Sequence, residues 1–304
     1  MRVLVTGATG LIGGRLGPRL AGAGHTVWAL SRRRDPATGD GSGIARYFHW
    51  PDPSAPPPAE SLAETDAVVH LAGESVSGRW TAAKKARIRA SRIGSTTALV
   101  TAIAALPSAR RPAAFVCASA SGYYGDRGDA ELREGDAPGS GFLAEVCRAW
   151  EASAARAREL GLAVTHLRTS LVLAAEGGAL AAMRPLFRLG LGGPLGGGDQ
   201  WWSWIAIDDQ VRLIQWALER RFTGALNAAA PNPLRQKEFA RLLARRLGRP
   251  SCLPAPAFGV QLLLGEFAGE LLASRRLLPA AAEQAGFSFE TPALPQALEQ
   301  EVPR

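Results

Sequence analysis

The amino-terminal thirty residues restrict the fold more than any other part of the chain. A short run rich in β-branched residues, Arg2-Val3-Leu4-Val5-Thr6, breaks at once into Gly7-Ala8-Thr9-Gly10-Leu11-Ile12-Gly13. Leu11, Ile12, Leu16 and Leu20 then recur at helical spacing, and Gly22 or Gly24 offers a stop. A second apolar run, Thr26-Val27-Trp28-Ala29-Leu30, follows. With 34 glycines in 304 residues a bare glycine pattern would mean little. Here a strand precedes it and a helix follows, the order of a dinucleotide-binding βαβ unit. Gly7 permits the tight turn, Gly10 leaves no side chain to block a pyrophosphate, and Gly13 lets the helix approach the sheet. Together with Thr9, Leu11 and Ile12 they are the expected phosphate cradle, because a helix start offers unpaired N–H groups and partial positive charge.

The tip of the second strand selects the dinucleotide. An acidic residue there bonds the ribose 2′-hydroxyl of NAD. This strand instead ends Leu30-Ser31-Arg32-Arg33-Arg34, and Asp35 comes four residues late. A carboxylate would repel a 2′-phosphate, whereas Ser31 and the planar fork of Arg32 can bind one. The expected cofactor is NADP.

Strand and helix signals keep alternating. Strands are expected at 67–72, 113–118 and 163–168, with helices over 80–105 and 142–159. This pattern predicts an α/β fold, a Rossmann-type doubly wound parallel sheet covered on both faces. The segment 35–60 reads as a surface loop around a short Tyr47-Phe48 strand. Near residue 175 the texture shifts to glycine clusters, then Trp201, Trp202 and Trp204, helices at 208–220 and 235–247, and an apolar helix in the tail. The expected division is a 1–174 NADP-binding domain and a smaller, mostly helical 175–304 lobe, with elements from 205–230 rejoining the sheet. A hydrophobic fraction of 47% with 20% charged residues excludes a disordered chain. No apolar stretch is long enough for a membrane helix; that at 259–273 is broken by Gly265, Glu266, Gly269 and Glu270. Glycines interrupt the first apolar run, so no targeting segment is expected. Three cysteines, Cys117, Cys147 and Cys252, with no CxxC pair, argue against a disulfide scaffold or zinc site and for a reducing cytoplasm. The net charge of +8 comes almost wholly from scattered arginines, so neither nucleic acid nor membrane is an expected partner. The histidines lack paired metal spacing, and no metal is expected. A small-molecule substrate and a monomer or homodimer are the expectation.

At this point the residues resemble a known family. Thr6-Gly7-Ala8-Thr9-Gly10-Leu11-Ile12-Gly13 resembles the opening of the extended short-chain dehydrogenase/reductases. His70-Leu71-Ala72-Gly73 is similar to their strand-4 motif, whose backbone lines the adenine and ribose side. Ala72-Gly73-Glu74-Ser75, Ser91-Arg92-Ile93, Gly122-Tyr123-Tyr124-Gly125-Asp126, Trp150-Glu151 and Ser203-Trp204-Ile205 resemble an atypical subgroup, the epimerase family proteins or sugar-nucleotide epimerase-like group. Gly286-Phe287-Ser288-Phe289 looks like that subgroup's small C-terminal domain. The resemblance adds Leu71, Ala72, Gly73, Glu74 and Ser119 to the expected cofactor contacts.

The resemblance also marks a departure. Typical members carry Tyr-x-x-x-Lys on the helix after strand 5, one turn apart and on one face. Counting back from Trp150-Glu151, that face carries Leu143 and Cys147, and no other Tyr-x-x-x-Lys exists in the chain. Ser119, Tyr123 and Tyr124 are the candidate catalytic residues in its place, with Glu74 and Cys147 as further proton-bearing groups. Two readings stay open. One is an NADP(H)-dependent oxidoreductase or epimerase acting on a carbonyl or nucleotide-sugar substrate. The other is a non-catalytic NADP(H)-sensing regulator, suggested by relatives linked to cell or plastid division.

Overall fold

A computed structural model describes residues 1–34, 41–251 and 253–302. Asp35 and Cys252 lie outside the described residues.

Seven parallel strands form the main sheet: β1 (Arg2–Thr6), β2 (Thr26–Ser31), β3 (Ile44–His49), β4 (Ala67–His70), β5 (Ala114–Ala120), β6 (Ala163–Thr169) and β7 (Gly224–Ala228), in the order β7-β6-β5-β4-β1-β2-β3. The chain starts in the middle, moves outward to β3, then crosses back over β1 to build the other half. Successive side chains of β1 face opposite layers. Val3 and Val5 pack with α1 (Leu11–Gly22), through Leu16 and Leu20, and with the helix at Ile207–Glu219, through Val211 and Ile214. Leu4 joins Leu99, Ile103, Phe115 and Trp150 on the other face. Both faces are covered, which is why the central strands are apolar throughout.

On that second face the long helix is two helices, α2 (Ala82–Arg89) and α3 (Ser95–Ala104), joined by a π turn at Ala90–Gly94. Helix α4 (Phe142–Ala155) follows β5, and its continuation to residue 160 tightens into a 3₁₀ turn. The expected two-residue strand at Tyr47-Phe48 is six residues long and lies at the sheet edge.

The remaining chain forms α5 (Gly178–Arg188), α6 (Ile207–Glu219), α7 (Gln236–Arg246), α8 (Ala257–Leu264), α9 (Phe267–Leu272), α10 (Ala280–Gln284) and α11 (Leu294–Glu301). Helix α6 and β7 return to the sheet layer, while α5, α7 and α11 surround their own apolar cluster of Leu180, Phe187, Phe239, Leu243 and Leu298. The apolar tail helix is two helices broken at Gly265, whose φ of +60° suits a residue without a side chain. Two- and three-residue strand pairs tie this region together: Leu171–Leu173 with Trp204–Ala206, Trp201–Trp202 with Leu234–Arg235, and Arg276–Leu277 with Glu131–Leu132. The C-terminal region is also fastened to the loop after β5. Ser274 donates its hydroxyl to the Gly128 carbonyl, and Arg275 Nε donates to the Gly125 carbonyl at 2.9 Å.

Candidate functional site

A cleft of about 410 Å³ opens at the carboxyl ends of β1, β2 and β4. Its floor is the turn after β1, one wall is Leu30–Arg33 with Trp50 and Pro53, and the other is Leu71–Glu74 with Ser91. Larger hollows at the amino ends of the strands and beside α7 are rimmed by arginines. Ligands of open α/β sheets bind at the carboxyl ends.

The three glycines do different physical jobs. Gly7 has φ +71°, and a Cβ there would meet the backbone of Leu71 and Ala72 at 3.0 Å. Gly13 brings α1 against the turn so closely that a Cβ would lie 2.2 Å from the Gly7 carbonyl oxygen. Gly10 precedes the helix, and a Cβ on it would meet only the Gly7 carbonyl within 4 Å. The Gly10 N–H closes the turn onto Gly7 at 2.9 Å. No side chain caps α1 and no acidic residue lies in its first turn. Among the described residues the N–H groups of Leu11, Ile12 and Gly13 have no acceptor, which leaves a cradle for an anion. The Leu11 side chain turns away to pack on Gly177, and Thr9 is exposed beside the cleft.

Thr6 locks the second wall in place. The N–H groups of Leu71 and Ala72 donate to its Oγ1 at 3.2 and 3.1 Å, and the hydroxyl itself lies 2.6 Å from His70 Nδ1. Ser95 already donates its hydroxyl to the Ser91 carbonyl, so His70 Nε2 is the donor across 3.1 Å to Ser95. Burial, with the nearby Arg92 charge, pushes the His70 imidazole down to about 3. His70 is therefore a neutral structural bridge. Groups of three or more His, Cys, Asp or Glu able to hold a metal ion do not occur among the described residues.

At the first wall Ser31 accepts the Arg33 N–H at 3.1 Å, while the Arg32 side chain is exposed at the cleft rim. The rim by β2 is thus cationic, and among the described residues the acidic one lining the cleft is Glu74, on the far wall. The residues suit a dinucleotide bearing an extra phosphate: N–H donors for the pyrophosphate, and arginine in place of the acid that would repel a 2′-phosphate.

The three candidate catalytic residues differ sharply in what their hydroxyls do. Ser119, 4% exposed, donates to Glu151 Oε1 at 2.6 Å. Tyr124 is fully buried; its hydroxyl lies 3.1 Å from the Arg133 carbonyl and 2.7 Å from Asn227 Oδ1, and Arg168 Nη1 donates to it at 2.8 Å. Burial pushes the Tyr124 phenol up to about 12. Its proton is committed inside the protein. Tyr123 is half-buried, its ring centroid lies 3.5 Å from the Arg168 guanidinium carbon, and its hydroxyl has no partner among the described residues. Leu143 and Cys147 are both packed away, and burial pushes the Cys147 thiol up to about 11. Glu74 faces Arg87 across 3.5 Å.

The sequence reading missed the group that organises this region. Arg168, at the end of β6, makes a two-pronged pair with Glu151 of α4: Nε to Oε1 and Nη2 to Oε2, each 2.9 Å. The two side chains are only 5% and 11% exposed. Glu151 lies on the Leu143–Cys147 face, one turn farther along α4. A charge at the end of a buried strand and a carboxylate on an apolar helix face were the available signals. The Trp201–Trp204 patch has all three indole N–H groups bonded within the protein, to Asp129, Leu271 and Asn232. It anchors the C-terminal region. Among the described residues no helix is long and apolar enough to cross a membrane.

Comparison with known proteins agrees with this geometry. Residues 3–229 match the NAD dependent epimerase/dehydratase family, and residues 255–301 match a domain of unknown function, DUF1731. The chain is 40% identical over 298 residues to the chloroplastic epimerase family protein SDR39U1 homolog of Arabidopsis thaliana, covering 95% of this chain and 83% of that one. It is 39% identical over 299 residues to the epimerase family protein Mb2239 of Mycobacterium bovis, covering 97% and 96%. The crystal structure of human epimerase family protein SDR39U1 with NADPH superposes with a TM-score of 0.87 at 32% identity, covering 99% of each chain. On the glycine cleft, the doubly wound sheet and a match spanning most of its length, the chain belongs to the NAD dependent epimerase/dehydratase family.

Proposed function

We propose that this protein binds NADP(H) in the glycine cleft and acts as an oxidoreductase or epimerase on a carbonyl or nucleotide-sugar substrate, without a Tyr-x-x-x-Lys pair. The observation that carries the reading is an uncapped helix start with three free N–H groups, beside a strand tip bearing Ser31 and Arg32 instead of a carboxylate. The NADPH bound to the human relative supports the same choice. When bound, the cofactor supplies or accepts a hydride. Leu11, Ile12 and Gly13 hold the pyrophosphate, Arg32 the 2′-phosphate, and the β4 tip the ribose side. Tyr123 is the proton-transfer group in this reading, because Ser119 and Tyr124 have committed their hydroxyls. The Arg168 guanidinium fixes its ring by a cation–π contact.

The packed Leu143 and Cys147 favour a second reading, an NADP(H) sensor without chemistry. One experiment separates them. Nicotinamide fluorescence is followed while the protein is incubated with NADPH or NADP and panels of carbonyl compounds and nucleotide sugars. Turnover that Tyr123→Phe abolishes supports the first reading. Tight NADPH binding with no turnover supports the second, and absence of binding removes both.

A further inference from the structure

The helix beside β4 contains one irregularity, and it bears on the cleft. Isolated π turns occur disproportionately at functional positions. The Ala90–Gly94 turn is braced by hydroxyls: Ser91 donates to the Ile88 carbonyl, Ser95 to that of Ser91, and Thr96 to that of Arg92. Its middle residue is Arg92.

The Arg92 guanidinium lies against the cleft wall. Nη1 donates to the Glu74 carbonyl at 2.9 Å, and Cζ stands 5.2 Å from the centre of the Trp150 ring. A Cβ on Gly73 would lie 3.3 Å from Arg92 Cζ and Nη2, so the glycine leaves the space that the guanidinium enters. Among the described residues only Nη1 has acceptors, and no carboxylate comes within 4.0 Å. Glu74 turns its own carboxylate to Arg87. A half-buried cation without a counter-charge is costly unless a ligand completes it.

Strand order says which part of a ligand would. Ser31 and Arg32 lie over β2, on one side of β1; β4 and β5 lie on the other. The β4 tip, which the family resemblance assigns to the adenine and ribose side, stands across β1 from Ser31 and Arg32, so a dinucleotide with its phosphates at Gly10 and its adenosine over β2 would instead lead its second half across β4, past Gly73. We propose that Arg92 is the fixed cation for this half, its free Nη2 donating to a ribose hydroxyl on the nicotinamide side. The proposal rests on NADP(H) being the ligand. Cys147, its thiol kept neutral by burial, supplies no charge at this place.

Calorimetry on wild type, Arg92→Met and Arg92→Lys tests it with three kinds of ligand. These are NADPH, adenosine 2′,5′-bisphosphate as the adenosine half alone, and NADPH analogues lacking the 2′- or 3′-hydroxyl of the nicotinamide-side ribose. Arg92→Met should weaken NADPH about ten- to a hundred-fold, the size of one charge-assisted hydrogen bond. The bisphosphate should be unaffected, and Arg92→Lys should recover part of the loss. One deoxy analogue should bind wild type more weakly by a similar factor, yet match NADPH on Arg92→Met. Equal losses for NADPH and the bisphosphate, or no loss for either, would overturn the role of Arg92. Wild type that binds none of the ligands would overturn the cofactor reading instead. Should Arg92→Met fail to fold, wild type decides alone, and equal affinity for NADPH and both deoxy analogues ends the proposal.

Discussion

Removing one charge of the Arg168–Glu151 pair should cost far more stability than removing both. In Arg168→Met the Glu151 carboxylate stays where it is, 11% exposed, with the Ser119 hydroxyl at 2.6 Å as its remaining donor. Two 2.9 Å charge-assisted bonds vanish, and so do the donations to the Tyr124 hydroxyl at 2.8 Å and the Glu134 carbonyl at 3.0 Å. Breaking a buried pair from one side costs about 3–5 kcal/mol, because an uncompensated charge is left behind. For 304 residues the unfolding entropy is about 0.6 kcal/mol per degree, so the melting temperature should fall by roughly 5–8 °C. Glu151→Leu should cost a similar amount by stranding the guanidinium. The double variant Arg168→Met/Glu151→Leu removes both charges and leaves only neutral groups short of partners, the Ser119 and Tyr124 hydroxyls and the Glu134 carbonyl, a cost of about 1–3 kcal/mol. Urea unfolding of the four proteins measures the cycle. Single variants that each cost under about 1 kcal/mol, or a double variant whose cost equals the sum of the singles, would refute the buried-charge reasoning.

Gly10→Asp should abolish NADPH binding while the protein stays folded, since a carboxylate would face the pyrophosphate; unchanged affinity by fluorescence titration counts against the cradle. Arg32→Ala should weaken NADPH about ten- to a hundred-fold and barely alter NADH, and equal losses would mean that Arg32 does not read the 2′-phosphate. His70 is neutral in the fold down to about pH 3, whereas in the unfolded chain it takes up a proton below its ordinary 6.5. Its contribution is therefore complete above pH 6.5 and is lost progressively as the pH falls towards 3. The stability difference between wild type and His70→Gln should shrink by about 2 kcal/mol from pH 7 to pH 5, at about 1.4 kcal/mol per pH unit. A pH-independent difference in urea unfolding would contradict this.

Much of the nucleotide-binding half could be read from residue order alone. Apolar strands and amphipathic helices of ordinary length carry strong periodic signals, and Gly7, Gly10 and Gly13 are tied to one backbone geometry whatever surrounds them. The C-terminal region was harder. Strands of two or three residues, such as Trp201–Trp202, have no period to detect. Helix α5 opens on Gly178 and contains Pro185, both poor helix signals. The polar half of the site was hidden for another reason. Ser119, Tyr124, Glu151, Arg168 and Asn227 meet only because β5, β6 and β7 lie side by side, and no local pattern announces a pairing across 17 or 103 residues. Arg92 stands out in the sequence only as part of the Ser91-Arg92-Ile93 motif, since a π turn leaves no trace in hydrophobic spacing.

The anchoring of Ser274 and Arg275 to the loop after β5 has a consequence for anyone cutting or swapping the tail. That loop begins at Ser121 and carries Tyr123, so the last fifty residues act as a brace for the proposed proton donor. Deleting them would unmoor the substrate side while sparing the nucleotide cradle some way off. A chimera that borrows another protein's tail should therefore keep its coenzyme and lose the proposed turnover, unless residues 121–141 travel with the graft.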